Sequence, residues 1–386
     1  MLPKRVYASI NLDNIQSNVK PVLESCGCEV MGIVKADAYG HGAVEVSKAL
    51  AEIGVTQFGV ATVGEACELR RNGITEPILV LGQVFYEEFP ALLKYDIISS
   101  VFDIHCAIAL SREAVKLGKK AKVYIKLDTG MGRLGFQTNA DGANRIKVVY
   151  DQPGLEILGA FTHFACADQK DKTSAIRQRE FFNGFCDALE STGIKLPVRH
   201  CYNSASIMEL DRHEQGSVVR CGIMMYGLYP SEEMDRSYKL YPAMEIKSSI
   251  AFIKDVPKGF KISYGSTYTT PRKMKIATIP VGYADGYPRY LSNKGAVLIN
   301  GRRCPILGRV CMDQFMVDIT GMESCMIGDS VTLLGRDVNE EITIDELADP
   351  DYRFNYEFCC LITRRVPRVY IKHGKVYKIC DAYADE

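Results

Sequence analysis

Short apolar runs alternate with helical patterns along the first 235 residues of the chain. Eight apolar runs predict buried β-strands, and they lie at residues 30–34, 58–61, 78–81, 97–101, 123–127, 157–161, 199–202 and 218–220. Helical patterns separate most of these runs, at residues 13–24, 43–53, 64–72, 87–94, 104–117, 140–150 and 174–192. Strands that are apolar on both faces and alternate with helices favour a parallel sheet. Eight such β/α units predict an α/β fold, the (β/α)8 or TIM barrel.

The pattern changes after Tyr229. Residues 230–241 are polar and rich in turn-forming residues, which indicates a domain boundary. Beyond it, short apolar runs are separated by glycine-containing turns, at residues 244–253, 274–279, 296–299, 304–310, 315–318 and 330–334. These runs predict a mainly β carboxyl-terminal domain. We therefore expect a barrel domain at residues 11–235 and a β domain at residues 236–386, which the amino-terminal strand at residues 1–10 joins.

Composition and charge exclude several classes of protein. The 47 Lys and Arg residues balance 47 Asp and Glu residues, so no nucleic acid or membrane partner is expected. No run approaches the roughly 18 apolar residues that cross a bilayer, and the start of the chain lacks the apolar core of a signal peptide. The 14 cysteines and six histidines show no paired metal-binding spacing. We expect a cytoplasmic protein with free thiols and no metal.

The ends of the predicted strands carry the candidate chemistry. In TIM barrel enzymes the active site lies at the carboxyl ends of the strands, and those ends here carry Lys35, Lys126, His163, Asn203, Ser204 and Arg220. Lys35 follows an apolar strand, and apolar surroundings lower the pKa of a lysine. A lysine so placed can attack carbonyl groups, including the aldehyde of pyridoxal phosphate (PLP). From this stretch alone, an ordinary surface lysine remains the alternative.

The chain resembles the alanine racemase family, whose members are PLP-dependent enzymes of fold type III. The resemblance covers nearly the whole chain, through KADAYGHG at 35–42, KLDTGMGRLG at 126–135, RCGI at 220–223, SYG at 263–265, VGYADGYPR at 281–289, GRVCMDQ at 308–314, YE at 356–357 and RVPR at 365–368. Each motif is short, and their common order along the chain makes the combination specific. The resemblance implies that residues 11–235 form a PLP-binding barrel.

The resemblance also implies an isomerase that interconverts L- and D-alanine by a two-base mechanism. PLP supplies the electron sink that makes the Cα proton removable, and bases on opposite faces remove and return that proton. Lys35 resembles the lysine that holds PLP and acts on the D-isomer, and Tyr264 resembles the base for the L-isomer. A free tyrosine titrates near pH 10, so His163 and Arg220 are expected to polarise Tyr264.

Further residues match the family's contacts with PLP. Arg220 resembles the arginine beside the pyridine nitrogen, and because arginine only donates, that nitrogen stays unprotonated and the ring is a weaker electron sink. The other matches are Tyr39, His163, Asn203, Ser204, Gly222, Ile223 and Tyr356. Five of them match contacts with the phosphate: Ser204, the backbone N–H groups of Gly222 and Ile223, and the hydroxyls of Tyr39 and Tyr356. Backbone N–H groups at the start of a helical turn suit an anion well. Cys221 departs from the family's proline, which would restrain φ near −65°, so we expect somewhat weaker PLP binding.

The resemblance implies a second set of residues around the substrate. Arg133 matches the residue that orients the substrate carboxylate through its planar donor fork, and Met312 matches one whose backbone N–H contacts the same group. Lys126, Asp313 and Tyr283 are expected as supporting residues. Lys126 corresponds to a lysine that is carbamylated in many family members, where the carbamate braces the arginine.

Family members are homodimers with shared active sites, in which the partner subunit supplies the residues matching Tyr264 and Met312. The resemblance implies that the D-alanine formed would be used for peptidoglycan. Two alternatives stay open. One is a serine or broad-specificity racemase, which Tyr356 disfavours because its bulky phenol should crowd a larger side chain. The other is a non-catalytic PLP-homeostasis protein on the same barrel, although such proteins lack the β domain and its tyrosine.

Overall fold

The computed structural model describes residues 2–211, 216–348 and 354–384. The chain forms two compact units. The barrel unit comprises residues 14–38 and 43–242, and the sheet unit comprises residues 1–13, 39–42 and 243–386.

The barrel unit is built on eight parallel strands. Neighbouring strands follow one another in the order Val218–Cys221, Glu29–Ile33, Gln57–Val60, Ile78–Val80, Ile98–Val101, Ala121–Asp128, Leu155–Phe161 and Val198–His200. The last strand meets the first through the Ser217 N–H, which donates to Arg199 O at 3.0 Å. Four of these strands are buried along their whole length, and most residues of the other four are buried or half-buried, as expected for strands covered on both faces. The predicted TIM barrel is confirmed.

Helices alternate with these strands, and several of them start at a residue whose side chain caps the helix. Their bounds are Leu12–Ser25, Ala43–Glu52, Val63–Arg71, Phe89–Lys94, Ile104–Lys116, Ala140–Tyr150, Thr173–Ser191 and Ser204–Glu209. Asp103 caps one of them by accepting the Cys106 N–H at 2.7 Å, and Asn139 caps another by accepting the Gly142 N–H at 2.9 Å. Such side chains satisfy backbone donors that the first helical turn leaves unpaired.

The sheet unit contains one large, mostly antiparallel sheet. Its strands follow the order Phe252–Val256, Met274–Ile279, Phe315–Asp318, Arg302–Leu307, Ala296–Ile299, Ser330–Asp337, Met244–Ser249, Val6–Asn11, Arg368–Lys372 and Lys375–Cys380, with Glu340–Ile342 beside Ser330–Asp337. Strands Lys261–Ile262 and Tyr268–Thr269 pair separately, and two short helices span Ile344–Leu347 and Asn355–Leu361. The prediction of a mainly β domain after the barrel is confirmed.

Two predicted strands of this unit differ from the structure. The run at 244–253 is two strands, because the Ile250 N–H donates to Asp329 O and the Ala251 N–H donates to Thr278 O, so the backbone changes partner there. The run at 304–310 ends at Leu307 because Gly308 has φ 79°, a left-handed conformation that ends the ladder. Strand Lys375–Cys380 was not predicted, since it is largely exposed and lacks an apolar alternation.

Candidate active site

The segment after strand Glu29–Ile33 is a left-handed helical turn, where the sequence predicted a loop containing glycines. Lys35 begins it, and Ala36, Asp37 and Ala38 have φ of 51°, 51° and 53° with ψ of 51°, 49° and 49°. Tyr39 continues at φ 52°. For residues with a Cβ atom this conformation costs roughly 1–2 kcal/mol each and is seldom adopted by several in succession. Lys35 is therefore presented by a strained backbone.

Arg220 is the centre of a buried polar cluster in the barrel unit. Its side chain is only 3% exposed, and burial lowers its pKa to about 10. Nη1 donates to His200 Nδ1 at 2.9 Å and to His200 O at 3.1 Å. Nη2 donates to Thr162 O at 2.8 Å, to Cys201 O at 3.1 Å and to His163 Nδ1 at 3.2 Å. These five hydrogen bonds fix the plane of the guanidinium group.

The two histidines beside Arg220 are neutral. Because arginine only donates, both Nδ1 atoms accept, so each neutral ring carries its proton on Nε2. Burial and the charge of Arg220 hold the pKa of both His200 and His163 well below its ordinary value. For His163, three more cationic side chains act in the same direction, those of Lys126, Arg133 and Lys35. The barrel unit thus brings four of the predicted cationic site residues close to His163.

Lys126 lies buried beside this cluster. Its Nζ donates to Leu127 O at 3.2 Å and lies 5.0 Å from the centre of the Phe161 ring. Burial and then the charges of Arg220 and Arg133 lower the pKa of Lys126 to about 7. A large fraction of this lysine is therefore neutral near physiological pH, which is also the form of an amine that can add CO2.

Lys126 should make stability depend on pH in a way that substitution removes. The unfolded chain binds the proton more tightly, so folding loses stability as the pH falls from about 10.5 to about 7, with no further change below. Relative to the parent apoprotein in CO2-free buffer, Lys126→Met should gain unfolding free energy progressively across that interval. Urea unfolding at several pH values measures this, and Lys122→Met, at a partly exposed surface pair, is the control. A difference that does not vary with pH would contradict the assignment.

Arg133 lies on a loop that Asp128 organises. The Asp128 Oδ1 atom accepts the N–H groups of Gly130 at 3.1 Å and Gly132 at 3.0 Å. Gly135, at φ 141°, has no room for a side chain, because a Cβ atom there would lie 2.3 Å from the Asp128 nitrogen. Arg133 itself is exposed. Its fork is thus carried by a well-defined backbone and is accessible to a ligand.

The candidate phosphate site centres on Ser204. The Ser204 Oγ atom accepts the Gly222 N–H at 2.9 Å and the Met224 N–H at 3.4 Å, which leaves the hydroxyl proton able to donate. Asn203 caps the following helix by accepting the Ser206 N–H at 3.2 Å. Gly222 precedes the three-ten turn Ile223–Tyr226, so the Ile223 N–H lies at the start of that turn. The predicted phosphate residues of the barrel unit therefore lie together, with the Gly222 N–H already bonded to Ser204.

Cys221 is completely buried at the end of strand Val218–Cys221. Burial raises the pKa of its thiol, so the sulfur is protonated and behaves as a small apolar group. The expectation that cysteine at this position weakens PLP binding stays a prediction.

The sheet unit carries Tyr264, Met312, Asp313 and Tyr283. Tyr264 opens a three-ten turn and is 68% exposed, and the preceding Ser263, at φ 63°, is held by its hydroxyl donating to Arg309 O at 2.6 Å. Met312 is 52% exposed. Its carbonyl accepts the Ala284 N–H at 3.0 Å, and the Tyr283 N–H donates to Cys311 O at 3.1 Å. Asp313 pairs with Arg365 at 2.8 Å.

The same unit brings Tyr39 and Tyr356 together. Their ring centres are 5.9 Å apart, and Phe354 stacks on Tyr356 at 4.2 Å. Burial raises the pKa of Tyr39, so its hydroxyl remains a proton donor at neutral pH. The two tyrosines predicted to contact the phosphate are therefore neighbours. Together with Phe354 they form what we call the aromatic wall.

Sequence analysis missed several residues of the barrel cluster. His200 was assigned only to a strand, although it accepts from Arg220 and stacks on Phe161 with ring centres 4.9 Å apart. Gln178 was assigned only to a helix, yet its Nε2 donates to His163 O at 3.2 Å. The sequence signal that could have identified His200 as a site residue was its polar side chain on a strand predicted to be buried. Gln178 gave none, since glutamine on a helix is ordinary.

Among the described residues, no helix combines the length and the hydropathy of a membrane span. No group of three or more Cys, His, Asp or Glu side chains within residues 2–211, 216–348 and 354–384 is arranged to hold a metal ion.

Comparison with known proteins covers nearly the whole chain. Residues 10–230 match the family described as alanine racemase, N-terminal domain, and residues 243–370 match alanine racemase, C-terminal domain. The alanine racemase of Clostridium perfringens (strain ATCC 13124) is 45% identical over 377 residues, which are 97% of this chain and 97% of that protein.

Solved structures agree with the sequence comparison. The alanine racemase of Clostridium difficile 630 has a TM-score of 0.94 at 39% identity, and the match covers 100% of both chains. A histidine racemase from Leuconostoc mesenteroides has a TM-score of 0.88 at 26% identity and covers 96% of this chain and 99% of its own. Family resemblance, fold and full-length similarity agree, and the chain belongs to the alanine racemase family.

Proposed function

We propose that this protein interconverts L- and D-alanine with PLP bound in the barrel domain, using Lys35 and Tyr264 as its two bases. The observation that carries the proposal is the group of basic side chains near the neutral His163, in a chain of the alanine racemase family. The group comprises Arg220, Arg133, Lys35 and the partly neutral Lys126. A phosphate dianion and a substrate carboxylate are the ligands that such a cationic site favours. The D-alanine formed would serve peptidoglycan synthesis in the cytoplasm.

The donors of the barrel unit fit PLP. Within the part of the chain that the structure describes, both terminal nitrogens of Arg220 are bonded, and its Nε–H has no protein acceptor. The unprotonated pyridine nitrogen of PLP can accept a hydrogen bond from this Nε–H. Ser204 and Ile223 offer a hydroxyl and a backbone N–H for a phosphate, and the Lys35 amine suits an aldehyde.

In this proposal the side chains of the protein divide the proton transfer between them. PLP, when bound, supplies the electron sink that makes the Cα proton removable. The Lys35 Nζ atom takes or returns the proton on one face, and the Tyr264 phenol oxygen does so on the other. His163 has its proton on Nε2, because Nδ1 accepts from Arg220. That N–H can stabilise a phenolate, which lowers the cost of ionising Tyr264.

We further propose a homodimer with shared active sites, in which the partner subunit supplies Tyr264 and Met312. Both side chains are more than half exposed in the single chain. A catalytic base generally works in a site from which water is excluded, so a second copy covering them would account for their exposure. The proposed domains are the PLP-binding barrel at residues 11–235 and the β domain at residues 236–386.

Substrate preference depends on the space beside the aromatic wall. Tyr356 stacks on Phe354 at 4.2 Å and lies near Tyr39, which supports a small pocket. Serine adds only one hydroxyl to alanine, and apolar pockets reject such an addition by about 10²-fold. A protein similar over nearly its full length is a histidine racemase, so the fold alone does not set the substrate.

Racemisation of L-alanine by the PLP-loaded protein tests the proposal directly. We expect D-alanine as product, and a kcat/KM for L-serine that is lower by up to about 100-fold. Chiral chromatography of both reactions measures this, with L-histidine as the control for a large side chain. Equal rates on alanine and serine would favour the broad-specificity alternative. Uptake of PLP without racemisation of any of the three would favour the non-catalytic alternative.

A further inference from the structure

We propose that Glu65 is a positioning residue for Lys35, because its carboxylate ties the backbone next to Lys35 to the following β/α unit of the barrel. The inference rests on the proposed function, since it concerns the lysine that would hold PLP. Glu65 carries no role in the mechanism above, and sequence analysis assigned it only to a helix.

Glu65 first acts as part of a helix cap. Its N–H donates to Thr62 Oγ1 at 3.2 Å, and its Oε2 atom accepts the Thr62 N–H at 3.1 Å. This reciprocal pair is a capping box, which satisfies two backbone donors at the start of helix Val63–Arg71. One carboxylate oxygen is enough for that purpose.

The carboxylate does more than the cap requires. Oε2 also accepts the Ala61 N–H at 2.7 Å, and Oε1 accepts the Ala36 N–H at 2.6 Å. Ala36 lies 29 positions earlier, on the loop of the neighbouring strand, directly after Lys35. Hydrogen bonds to a carboxylate are roughly twice as strong as those between neutral groups. A single side chain therefore joins two adjacent loops at the carboxyl ends of the barrel strands.

The Ala36 N–H belongs to the peptide that leaves Lys35, where the left-handed turn begins. The orientation of this peptide sets ψ of Lys35 and thereby restrains the direction of the Lys35 side chain. Asp37 holds the other end of the turn, because its Oδ1 atom accepts the Ala43 N–H at 2.8 Å. A strained turn keeps its shape only when its surroundings determine it. Glu65 and Asp37 are the carboxylates that do so here.

Glutamine at position 65 separates the two functions. A carboxylate has two acceptor oxygens for three donors, whereas an amide has one oxygen and an NH2 group that cannot face an N–H. Glu65→Gln can therefore keep the helix cap or the bond to Ala36 but not both. The single amide oxygen should stay with the two neighbouring donors, Ala61 and Thr62, and release Ala36. Ala36 is exposed, so water can replace the lost acceptor and stability should change little. The effect should appear in the position of Lys35.

Glu88 provides a matched control. Its Oε2 atom accepts the Phe85 N–H at 2.9 Å at the start of the three-ten turn Tyr86–Glu88, so it is also a carboxylate that caps a turn after a barrel strand. The Glu88 contact stays within its own loop. Glu88→Gln therefore weakens a cap without touching the segment that carries Lys35.

The experiment compares Glu65→Gln, Glu65→Ala and Glu88→Gln with the parent protein. PLP is added to each apoprotein, and the rate of covalent linkage to Lys35 is followed by visible absorbance and by borohydride trapping with peptide mapping. We expect linkage slowed about tenfold and kcat lowered about 10–100-fold in both Glu65 variants, with KM for alanine within about threefold, because small misplacements of a reacting group cost this much. Deuterium exchange of the peptide containing Ala36 should be faster in the apoproteins of both Glu65 variants. Glu88→Gln should match the parent in linkage rate, kinetic constants and deuterium exchange.

The outcomes distinguish this inference from the proposed function. If the parent protein forms no linkage at Lys35, the proposed function fails. If the parent forms it and both Glu65 variants behave as Glu88→Gln does, Glu65 is an ordinary cap and the inference is overturned. Should Glu65→Ala fold poorly, Glu65→Gln still decides the question.

Discussion

Lys35→Ala should leave a folded protein that holds PLP only by noncovalent contacts and does not measurably racemise alanine. The substitution removes both the amine that would bond the cofactor and the base for the D-isomer. Loss of a general base alone typically costs about 10²–10⁴-fold, and loss of the linkage adds to it. The fold should persist, because Lys35 is only partly buried and is followed by a turn whose backbone bonds remain.

Borohydride reduction followed by peptide mapping measures the linkage, and chiral chromatography measures the activity. The parent should be labelled at Lys35 and the variant should not be labelled. Lys122→Ala, at a surface ion pair with Asp96, should be labelled and active as the parent is. Burial makes the pKa of Lys126 low enough for the same reaction, so labelling of Lys126 in the parent would show that the assignment to Lys35 is wrong.

Tyr264→Phe should bind PLP through Lys35 normally and yet lose racemisation by about 10²–10⁴-fold. The ring and its packing are kept, and only the hydroxyl is lost. Because Lys35 still serves one face, the variant should exchange the Cα proton of D-alanine with solvent far faster than that of L-alanine. Proton NMR in D2O measures both exchange rates. Tyr383→Phe, another highly exposed tyrosine of the sheet unit, is the control. Equal loss with both isomers would remove Tyr264 from this role.

The shared-site proposal is tested by mixing two inactive chains. Co-expressed Tyr264→Phe and Lys35→Ala subunits should recover activity, since each heterodimer would contain one site with both native bases and one with neither. Differently tagged subunits allow heterodimers to be isolated before the assay. Verified heterodimers without activity would contradict the proposal that the partner supplies Tyr264.

The barrel could be predicted from the sequence because its elements are encoded locally. Most parallel strands are short apolar runs, and the longer helices show a 3.6-residue pattern, so spacing gives the order of elements. The β domain was predicted less well. At Ile250 the backbone changes strand partner through contacts distant in sequence, and a second strand ends at Leu307 because Gly308 is left-handed. The candidate residues were available because their motifs are contiguous.

What only the tertiary structure decided is the electrostatic state of those residues and the backbone that presents them. Sequence predicted that Lys126, His163 and Arg220 meet at one rim, but burial makes Lys126 and His163 largely neutral at physiological pH. The tautomer of His200 follows from a donor twenty residues away. The left-handed turn after Lys35 could not be predicted, because two of its residues are alanines, which disfavour that conformation. It persists through acceptors such as Glu65, which lies in the next β/α unit. Local pattern therefore determined which residues meet, and desolvation and long-range hydrogen bonds determined their charge and orientation.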